Sequence, residues 1–227
     1  MSEVAIERNP TDLKSVQDHW WWRPGWRPGR HFYACHLIPD DIPPLRDLAR
    51  TYQTATERFG FLDQIPAQWL HITMQGIGFV DEISANEIQE IHAKLTDLLQ
   101  KTEQPTVTFH RPTIQKEALY LRALPKENLY ELQVSMHHAV TSVLGPGKYA
   151  GGLLGLEAFG PHLSFAYVNT GASADDIESV LDAVEAEPVT VTFHKADLLV
   201  FHRDSRMYEW TSATPITIGA GHPAYCL

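Results

Sequence analysis

Two segments of the sequence carry the same order of residue types: a histidine, an apolar residue, a hydroxyl residue and an apolar residue. They read His-Ile-Thr-Met at 71–74 and His-Leu-Ser-Phe at 162–165. An imidazole has an unperturbed pKa of about 6.5, so near neutral pH it can either accept or donate a proton. Two copies of this pattern, called the tetrads below, therefore predict an active site with two histidines and two hydroxyls.

The spacing within each tetrad brings its polar residues together if the tetrads lie on β-strands. Side chains of a strand alternate between its two faces. His71, Thr73 and Gln75 are then predicted to share one face, as are His162 and Ser164. The apolar residues between them would pack against a core. We expect the polar faces to line one cleft, where both imidazoles and both hydroxyls converge.

These groups suit the cleavage of a phosphodiester without a metal ion. One neutral histidine can accept a proton from an attacking water, while the other, protonated, donates to the leaving ribose oxygen; each is worth about 10²–10⁴-fold in rate. The hydroxyls of Thr73 and Ser164 can donate to the nonbridging phosphate oxygens. Neither tetrad has the His-x-His or His-x-x-x-His spacing that places two ligands of one metal on one element. We therefore predict no metal site and no cofactor.

A single tetrad is weak support for this chemistry, because the chain contains 12 histidines and short matches arise by chance. Taken alone, each is typical of a half-buried strand histidine. The sequences that follow are what make them a pair. Ser-Ala-Asn-Glu-Ile at 84–88 matches Ser-Ala-Asp-Asp-Ile at 173–177, and Thr-Val-Thr-Phe-His occurs at both 106–110 and 190–194. The chain therefore carries an internal repeat.

The repeat units, at about 69–124 and 159–212, each read as strand, helix, strand and strand. Ser84 and Glu87 predict a capping box at the start of the first helix, and Ser173 is predicted to cap the second. This pattern predicts an α+β fold with a bilobal, duplicated architecture. It would consist of two antiparallel-rich sheets, with helices on the outer faces and a central cleft on a pseudo-twofold axis.

With these motifs in place, residues 30–218 resemble the 2H phosphoesterase superfamily, which includes 2′-5′ RNA ligase-like and RNA 2′,3′-cyclic phosphodiesterase proteins. Those proteins have one His-x-Thr/Ser motif in each half of a duplicated fold. Arg-His-Phe-Tyr-Ala at 30–34 resembles the first strand of that family. Pro161 precedes the second histidine, as is frequent in the family, whereas Leu70 precedes the first. The resemblance implies that the two histidines are catalytic and that the two hydroxyls bind the phosphate.

The activity implied by the resemblance is metal-independent cleavage of a cyclic 2′,3′-type phosphodiester or a 2′-5′ linkage on a nucleotide or RNA end. Reversible 2′-5′ RNA ligation is a further activity of the family. Two alternatives stay open on the sequence alone. One is a nucleotide- or RNA-end-binding module without turnover, and the other is a histidine-rich metallohydrolase.

The first 29 residues form a leader that is not part of the family's shared pattern, ahead of a single predicted domain at 30–227. Two copies of Trp-Arg-Pro-Gly occupy 22–29, and their prolines and glycines exclude a continuous helix. The loop is either a lid that stacks a nucleobase and reaches phosphate, or a clasp whose tryptophans pack on the domain while its arginines face solvent. The substrate-binding candidates here are Trp26, Arg27 and Arg30.

Other substrate-binding candidates are Arg122, on a predicted strand, Gln75, and Tyr149, in the glycine-rich loop at 145–155. The formal net charge is −10, from 18 basic and 28 acidic residues. This balance argues against a long nonspecific nucleic-acid surface, although one phosphate or one RNA end can still be bound in a pocket. Two cysteines give no disulfide framework. With no apolar signal segment or membrane-length run, we expect a cytoplasmic protein, monomeric by default.

Overall fold

The computed structural model of the protein describes residues 15–145 and 151–219. Within these ranges the strands are β1 (Ser15–Val16), β2 (Phe32–Leu37), β3 (Leu62–Gln64), β4 (Ile72–Phe79), β5 (Thr106–Ile114), β6 (Ala118–Leu124), β7 (His162–Val168), β8 (Ala172–Ser173), β9 (Val189–Thr192), β10 (Lys195–His202) and β11 (Glu209–Thr217). The helices are α1 (Pro43–Thr56), α2 (Ala85–Leu99), α3 (Glu127–Leu144) and α4 (Asp175–Asp182). A 3₁₀ turn, Ala67–Trp69, precedes β4. The mixed α+β class predicted from the sequence is confirmed.

The two repeated helices begin differently. The Ser84 hydroxyl accepts from the backbone N–H of Glu87, and the Glu87 carboxylate accepts from the backbone N–H of Ser84, so the predicted capping box is present. For the second helix the predicted N-cap position is off by one residue: the N-cap of α4 is Ala174, although the Ser173 hydroxyl accepts from the backbone N–H of Asp175 at 3.2 Å. Ser173 is held in β8, where it pairs with Ser15 of the leader. This extended pairing delays the start of α4 by one residue.

Nine of the described strands form one antiparallel sheet in the order β11-β10-β2-β4-β7-β6-β5-β9, with β3 beside β7. The predicted division into two separate sheets is therefore corrected. The two tetrad strands, β4 and β7, are neighbours and meet at the pair Ile72–Leu163. Strands β2, β10 and β11 continue the sheet beyond β4, and β6, β5, β9 and β3 lie on the side of β7. The two-lobed duplication stays a prediction.

The repeated sequences pair with their own copies. The tetrads meet at the centre of the sheet, and the two Thr-Val-Thr strings pair as β5 and β9. The hydroxyls of Thr106 and Thr192 are 2.8 Å apart, and those of Thr108 and Thr190 are 2.9 Å apart. Pairing of a segment with its own copy is what an internal twofold axis would produce.

The apolar residues of both tetrads are buried in the main hydrophobic core, as strand alternation predicts. Ile72, Met74, Leu163 and Phe165 are all nearly inaccessible to solvent. Complete burial of each such side chain contributes about 1.5–3 kcal/mol to stability. The core therefore fixes one face of each tetrad and leaves the polar face turned away from it. No helix of the described residues is long and apolar enough to cross a membrane.

Candidate active site

The two tetrad histidines are held by the same local hydrogen bond. Nδ1 of His71 lies 2.8 Å from the carbonyl oxygen of Trp69, and Nδ1 of His162 lies 2.8 Å from that of Gly160. A carbonyl only accepts, so Nδ1 carries the proton in both rings. In a neutral imidazole of this tautomer Nε2 is the free acceptor. Each tetrad therefore presents a ring whose Nε2 can exchange a proton with a substrate.

The register of the tetrad strands places one histidine and one hydroxyl at each end of the site. Ile72 pairs with Leu163. One residue to either side, the same antiparallel register sets His71 opposite Ser164 and Thr73 opposite His162. We call His71 and Ser164 the inner end and Thr73 and His162 the outer end. The charge of His162 also lowers the pKa of His71, as expected for neighbouring imidazoles.

The two ends differ in exposure. His71 and Ser164 are only 8% and 7% exposed, whereas Thr73 is exposed and His162 is half-buried. The inner end is therefore covered, and the outer end is the one that solvent reaches.

Both tetrad strands contain a β-bulge at the fourth tetrad residue. Met74 has no partner on β2, because the neighbouring pairs are Thr73–His36 and Gln75–Cys35. The register shifts in the same way on β7, where Phe165 has no partner on β6. Bulges bend a strand and redirect the side chains around them. The hydroxyl residues of both tetrads thus stand directly before a bend.

A glutamine amide from a helix binds the carbonyl oxygen of each bulged residue. Gln53 of α1 donates to the carbonyl of Phe165 at 2.8 Å, and Gln133 of α3 donates to that of Met74 at 3.3 Å. Bulges can leave backbone groups without ladder partners, although the Phe165 carbonyl also accepts from the backbone N–H of Ile65 at 3.0 Å. Each helix therefore supports the strand of the tetrad that does not follow it in sequence.

The bulge corrects the prediction for Gln75. It interrupts the alternation on which a face shared with His71 and Thr73 was predicted. The Gln75 amide nitrogen donates to the carbonyl oxygens of Gly76 and Gly151, both at 2.8 Å, and the residue is buried. Gln75 holds a loop against β4 and is not open to a substrate.

An aromatic ring from the neighbouring strand covers each tetrad imidazole. His36 of β2 stacks on His71 with ring centroids 4.4 Å apart and planes 7° from parallel. Tyr120 of β6 lies 4.4 Å from His162, measured between ring centroids. The two rings hold equivalent positions, because His36 pairs with Thr73 and Tyr120 pairs with Ser164.

Burial keeps these imidazoles neutral. It lowers the pKa of His71 to about 4, despite the opposing effect of the Trp69 carbonyl. Burial, reinforced by the charge of His71, lowers the pKa of His36 well below its usual range. Burial also lowers the pKa of His162, and the guanidinium of Arg122 acts in the same direction. At neutral pH the Nε2 atoms of both tetrad histidines are therefore available as proton acceptors in the free protein.

A model of the 2′-5′ RNA ligase superfamily matches residues 39–205, which is most of the chain. The chain belongs to this superfamily. Solved structures share its fold at low identity. TT0787 of Thermus thermophilus is 17% identical with a TM-score of 0.61, over 85% of this chain and 100% of its own. E. coli LigT complexed with NADP⁺ is 14% identical with a TM-score of 0.54, over 84% and 99%. LigT complexed with 3′-AMP is 15% identical with a TM-score of 0.50, over 83% and 98%. No curated protein matches the chain.

In this superfamily member the leader acts as a clasp on the domain. Trp26 packs on Phe32, Phe79 and Phe201. The guanidinium of Arg30 is buried over the ring of Phe79, 3.5 Å from its centroid, and bonds to Asp81. Arg27 is exposed and pairs with the same carboxylate. All three leader candidates are thus occupied in holding the leader, whereas Tyr149 lies outside the described residues.

Arg122 is the remaining predicted candidate, and it lies beside the outer end. It pairs with His162 across β6 and β7 and is half-buried. Its charge lowers the pKa of His162, in the same direction as burial, and opposes the larger effect of burial on the pKa of Tyr120. Arg122 therefore adds positive charge directly beside His162.

Aromatic residues near the inner end were missed by the sequence reasoning. Tyr208 and Trp210 present their rings edge-on to His71, with centroids 5.9 and 6.0 Å away, and Trp210 contacts Trp69 at 4.7 Å. The alternation of Tyr208 and Trp210 along a predicted strand was the available signal. In the part of the chain that is described, no three His, Cys, Asp or Glu side chains are grouped to hold a metal.

Proposed function

We propose that this protein is a metal-independent phosphodiesterase that uses His71 and His162 on a cyclic phosphodiester or a 2′-5′ linkage of a nucleotide or RNA end. The observation that carries the proposal is the pair of imidazoles, each fixed through Nδ1 to a carbonyl two residues earlier in the chain. This shared geometry leaves two Nε2 atoms for proton transfer. Superfamily membership of residues 39–205 supports an enzyme of the phosphoesterase and ligase type.

In hydrolysis, His71 is the general base. Its low pKa keeps Nε2 unprotonated, so it takes a proton from the water that attacks phosphorus. His162, protonated on Nε2, donates to the ribose oxygen as its bond to phosphorus breaks. The anionic phosphate of a bound substrate favours this protonated form, because an opposite charge nearby raises the pKa of an imidazole. Ligation of a cyclic phosphate uses the same roles, with a 5′-hydroxyl in place of the water, and the two residues exchange roles only in the reverse reaction, which opens a 2′-5′ linkage to a cyclic phosphate.

The two hydroxyls stabilise the charge that develops on the phosphate. Ser164 and Thr73 donate to the nonbridging oxygens, one at each end of the site, where negative charge grows in the transition state. The donor at the inner end acts in a dry environment and is the stronger of the two. Arg122 adds a cation at the outer end.

The deciding experiment is an assay of the purified chain against 2′,3′-cyclic nucleotides, RNA ends bearing a cyclic phosphate, and 2′-5′-linked dinucleotides. Each is measured with and without EDTA. We expect turnover that survives EDTA and disappears in the double variant His71→Ala/His162→Ala. Loss of activity with EDTA alone would indicate a metallohydrolase. Binding of nucleotide without turnover at any pH would indicate a binding module.

A further inference from the structure

The leader forms a small separate sheet with β8 and is hydrogen-bonded to the ends of strands in the main sheet. Val16 and Ser15 pair with β8, the backbone N–H of Gln17 donates to the carbonyl of Lys116 at 2.7 Å, and that of His19 donates to Val168 at 2.8 Å. These bonds fix the leader against the ends of β6 and β7. The leader precedes residues 39–205, so it lies outside the part that matches the superfamily.

A buried arginine fastens the leader to the turn between β10 and β11. Arg203 is 4% exposed and donates from Nη2 to the carbonyl oxygen of His19 at 3.1 Å. Its guanidinium carbon lies 5.4 Å from the ring centroid of Trp20, 5.7 Å from that of Trp26 and 5.3 Å from that of Tyr208. Arginine stacked among aromatic faces is a stable contact when desolvated. The leader is therefore a fixed part of the fold where it meets Tyr208.

The imidazole of His19 joins the leader to two tyrosines. It stacks on Tyr167 with centroids 4.3 Å apart, and its Nε2 lies 3.0 Å from the hydroxyl oxygen of Tyr208. Burial, with the charge of Arg23 next in size, lowers the pKa of His19 to about 3. Its Nδ1 lies 3.4 Å from a carboxylate oxygen of Glu117, so both ring nitrogens have a contact that holds this junction.

Both tyrosines stand beside the inner end of the site. The ring of Tyr208 meets His71 at 5.9 Å, and the phenol of Tyr167 interacts with the Ser164 side chain. The leader thus covers His71 and Ser164 through one layer of tyrosine. This layer explains why the inner end is buried while the outer end is accessible.

We propose that the leader, through His19, is a wall of the catalytic cleft that closes its inner end and selects terminal cyclic phosphates. The inference rests on the proposed function. In a 2′,3′-cyclic phosphate both ester oxygens belong to one ribose, so the whole nucleoside can extend from the accessible outer end. A 2′-5′ linkage joins two nucleosides, and the second would need room where Tyr167, Tyr208 and His19 pack. The substrate class is therefore a nucleotide or RNA end with a cyclic phosphate.

The test compares kcat/KM for a 2′,3′-cyclic mononucleotide and a 2′-5′-linked dinucleotide. For the natural chain we expect a preference of roughly 100-fold for the cyclic substrate, the upper part of what a steric pocket achieves. His19→Ala opens the wall and should reduce this preference about tenfold. Trp22→Ala changes an exposed residue of the same leader and should leave it unchanged. If His19→Ala fails to fold, Trp20→Leu tests the same wall, because the ring of Trp20 lies 5.2 Å from that of Tyr167 and 5.6 Å from that of Tyr208, measured between centroids.

Two results would contradict the proposal that the leader closes the inner end. One is equal use of both substrates by the natural chain, and the other is a preference that neither His19→Ala nor Trp20→Leu changes. Absence of turnover on both substrates would instead refute the proposed function. In that case calorimetric titration with 3′-AMP and with the dinucleotide decides the inference separately. Tighter binding of 3′-AMP, with the difference reduced in His19→Ala, supports the wall, and equal binding refutes it.

Discussion

The inner and outer ends of the site contain the same chemical groups in different surroundings. Each has one imidazole held at Nδ1 and one hydroxyl residue that stands before a bulge. At the inner end, His71 lies between the parallel ring of His36 and the edges of Tyr208 and Trp210. At the outer end, His162 lies under Tyr120, next to Arg122 and solvent.

In the proposed mechanism the strands orient both imidazoles, and their surroundings decide which one is the acid and which is the base. Identical backbone bonds orient both rings, so orientation does not distinguish acid from base. The buried histidine is the one that stays neutral, and the accessible one can receive a proton when a phosphate anion arrives. Differences of this kind between paired groups are how one site performs both acid and base steps.

Removal of either imidazole should have the largest effect. We expect His71→Ala and His162→Ala each to lower kcat by about 10²–10⁴-fold, because each removes one proton-transfer partner. Steady-state kinetics on the substrate found in the assay measures this loss. His138→Ala is the matched control, since that histidine is exposed on α3. Near-normal activity of either variant would contradict the paired roles.

Loss of the hydroxyls should cost less, and unequally between the ends. Ser164→Ala is expected to lower kcat by about 10²-fold, typical of a lost hydrogen-bond donor to a developing oxyanion. Thr73→Ala should cost about tenfold, because an exposed donor competes with water and works at higher dielectric. Ser164→Thr and Thr73→Ser keep the hydroxyl and should recover most of the loss. Equal costs at both ends would show that burial does not distinguish them.

The sequence predicted the strands and buried faces of the tetrads better than the contacts that support them. Both tetrads, their strands and the buried Ile72 and Leu163 follow from period-two alternation, which is a local signal. The bulges are single-residue slips that alternation cannot reveal, and so Gln75 was assigned to the wrong face. Gln53 and Phe165 are far apart in sequence, and the contact depends on how α1 packs across the sheet.

The contacts of the leader could likewise be predicted only in part from the sequence. Its prolines and glycines correctly predicted an irregular loop. Of its two interpretations the clasp fits the packing of Trp26, but the buried Arg30 differs from the solvent-facing arginines that the clasp predicted. Its relation to the inner end depends on His19, which no motif marks. A lone histidine outside any repeat carries no signal until the fold brings Tyr167 and Tyr208 to it.

The charge of Arg122 should separate the two ends in a pH profile. We expect a bell-shaped dependence of kcat/KM on pH. The acid limb reports the pKa of the base, His71, and the alkaline limb reports the pKa of the acid, His162. The pKa of His162 is lowered by burial and further by Arg122. Arg122→Gln removes the second effect, so the alkaline limb should move to higher pH. Arg122→Lys keeps the charge, so the alkaline limb should return to its position in the natural chain. Movement of the acid limb instead would exchange the roles of the two histidines.

The smallest effect concerns stability, and it tests the burial of the inner end. Burial lowers the folded-state pKa of His36 and His71 below the values in the unfolded chain. Between these values the unfolded state binds more protons, so the stabilisation is complete above pH ~6.5 and falls as pH decreases, by about 1.4 kcal/mol per pH unit for each such group.

His36→Phe keeps a ring on His71 and removes one of these titrating groups. We therefore expect its free energy of unfolding to decline less than that of the natural chain as the pH is lowered from about 6.5 to about 5, the range in which an unfolded-state histidine gains its proton. Urea unfolding at a series of pH values measures the two slopes, with His138→Ala, exposed on α3, as the control. An unchanged slope in His36→Phe would mean that His36 gains its proton in the folded state. The inner end would then be wetter than its 8% exposure at His71 indicates.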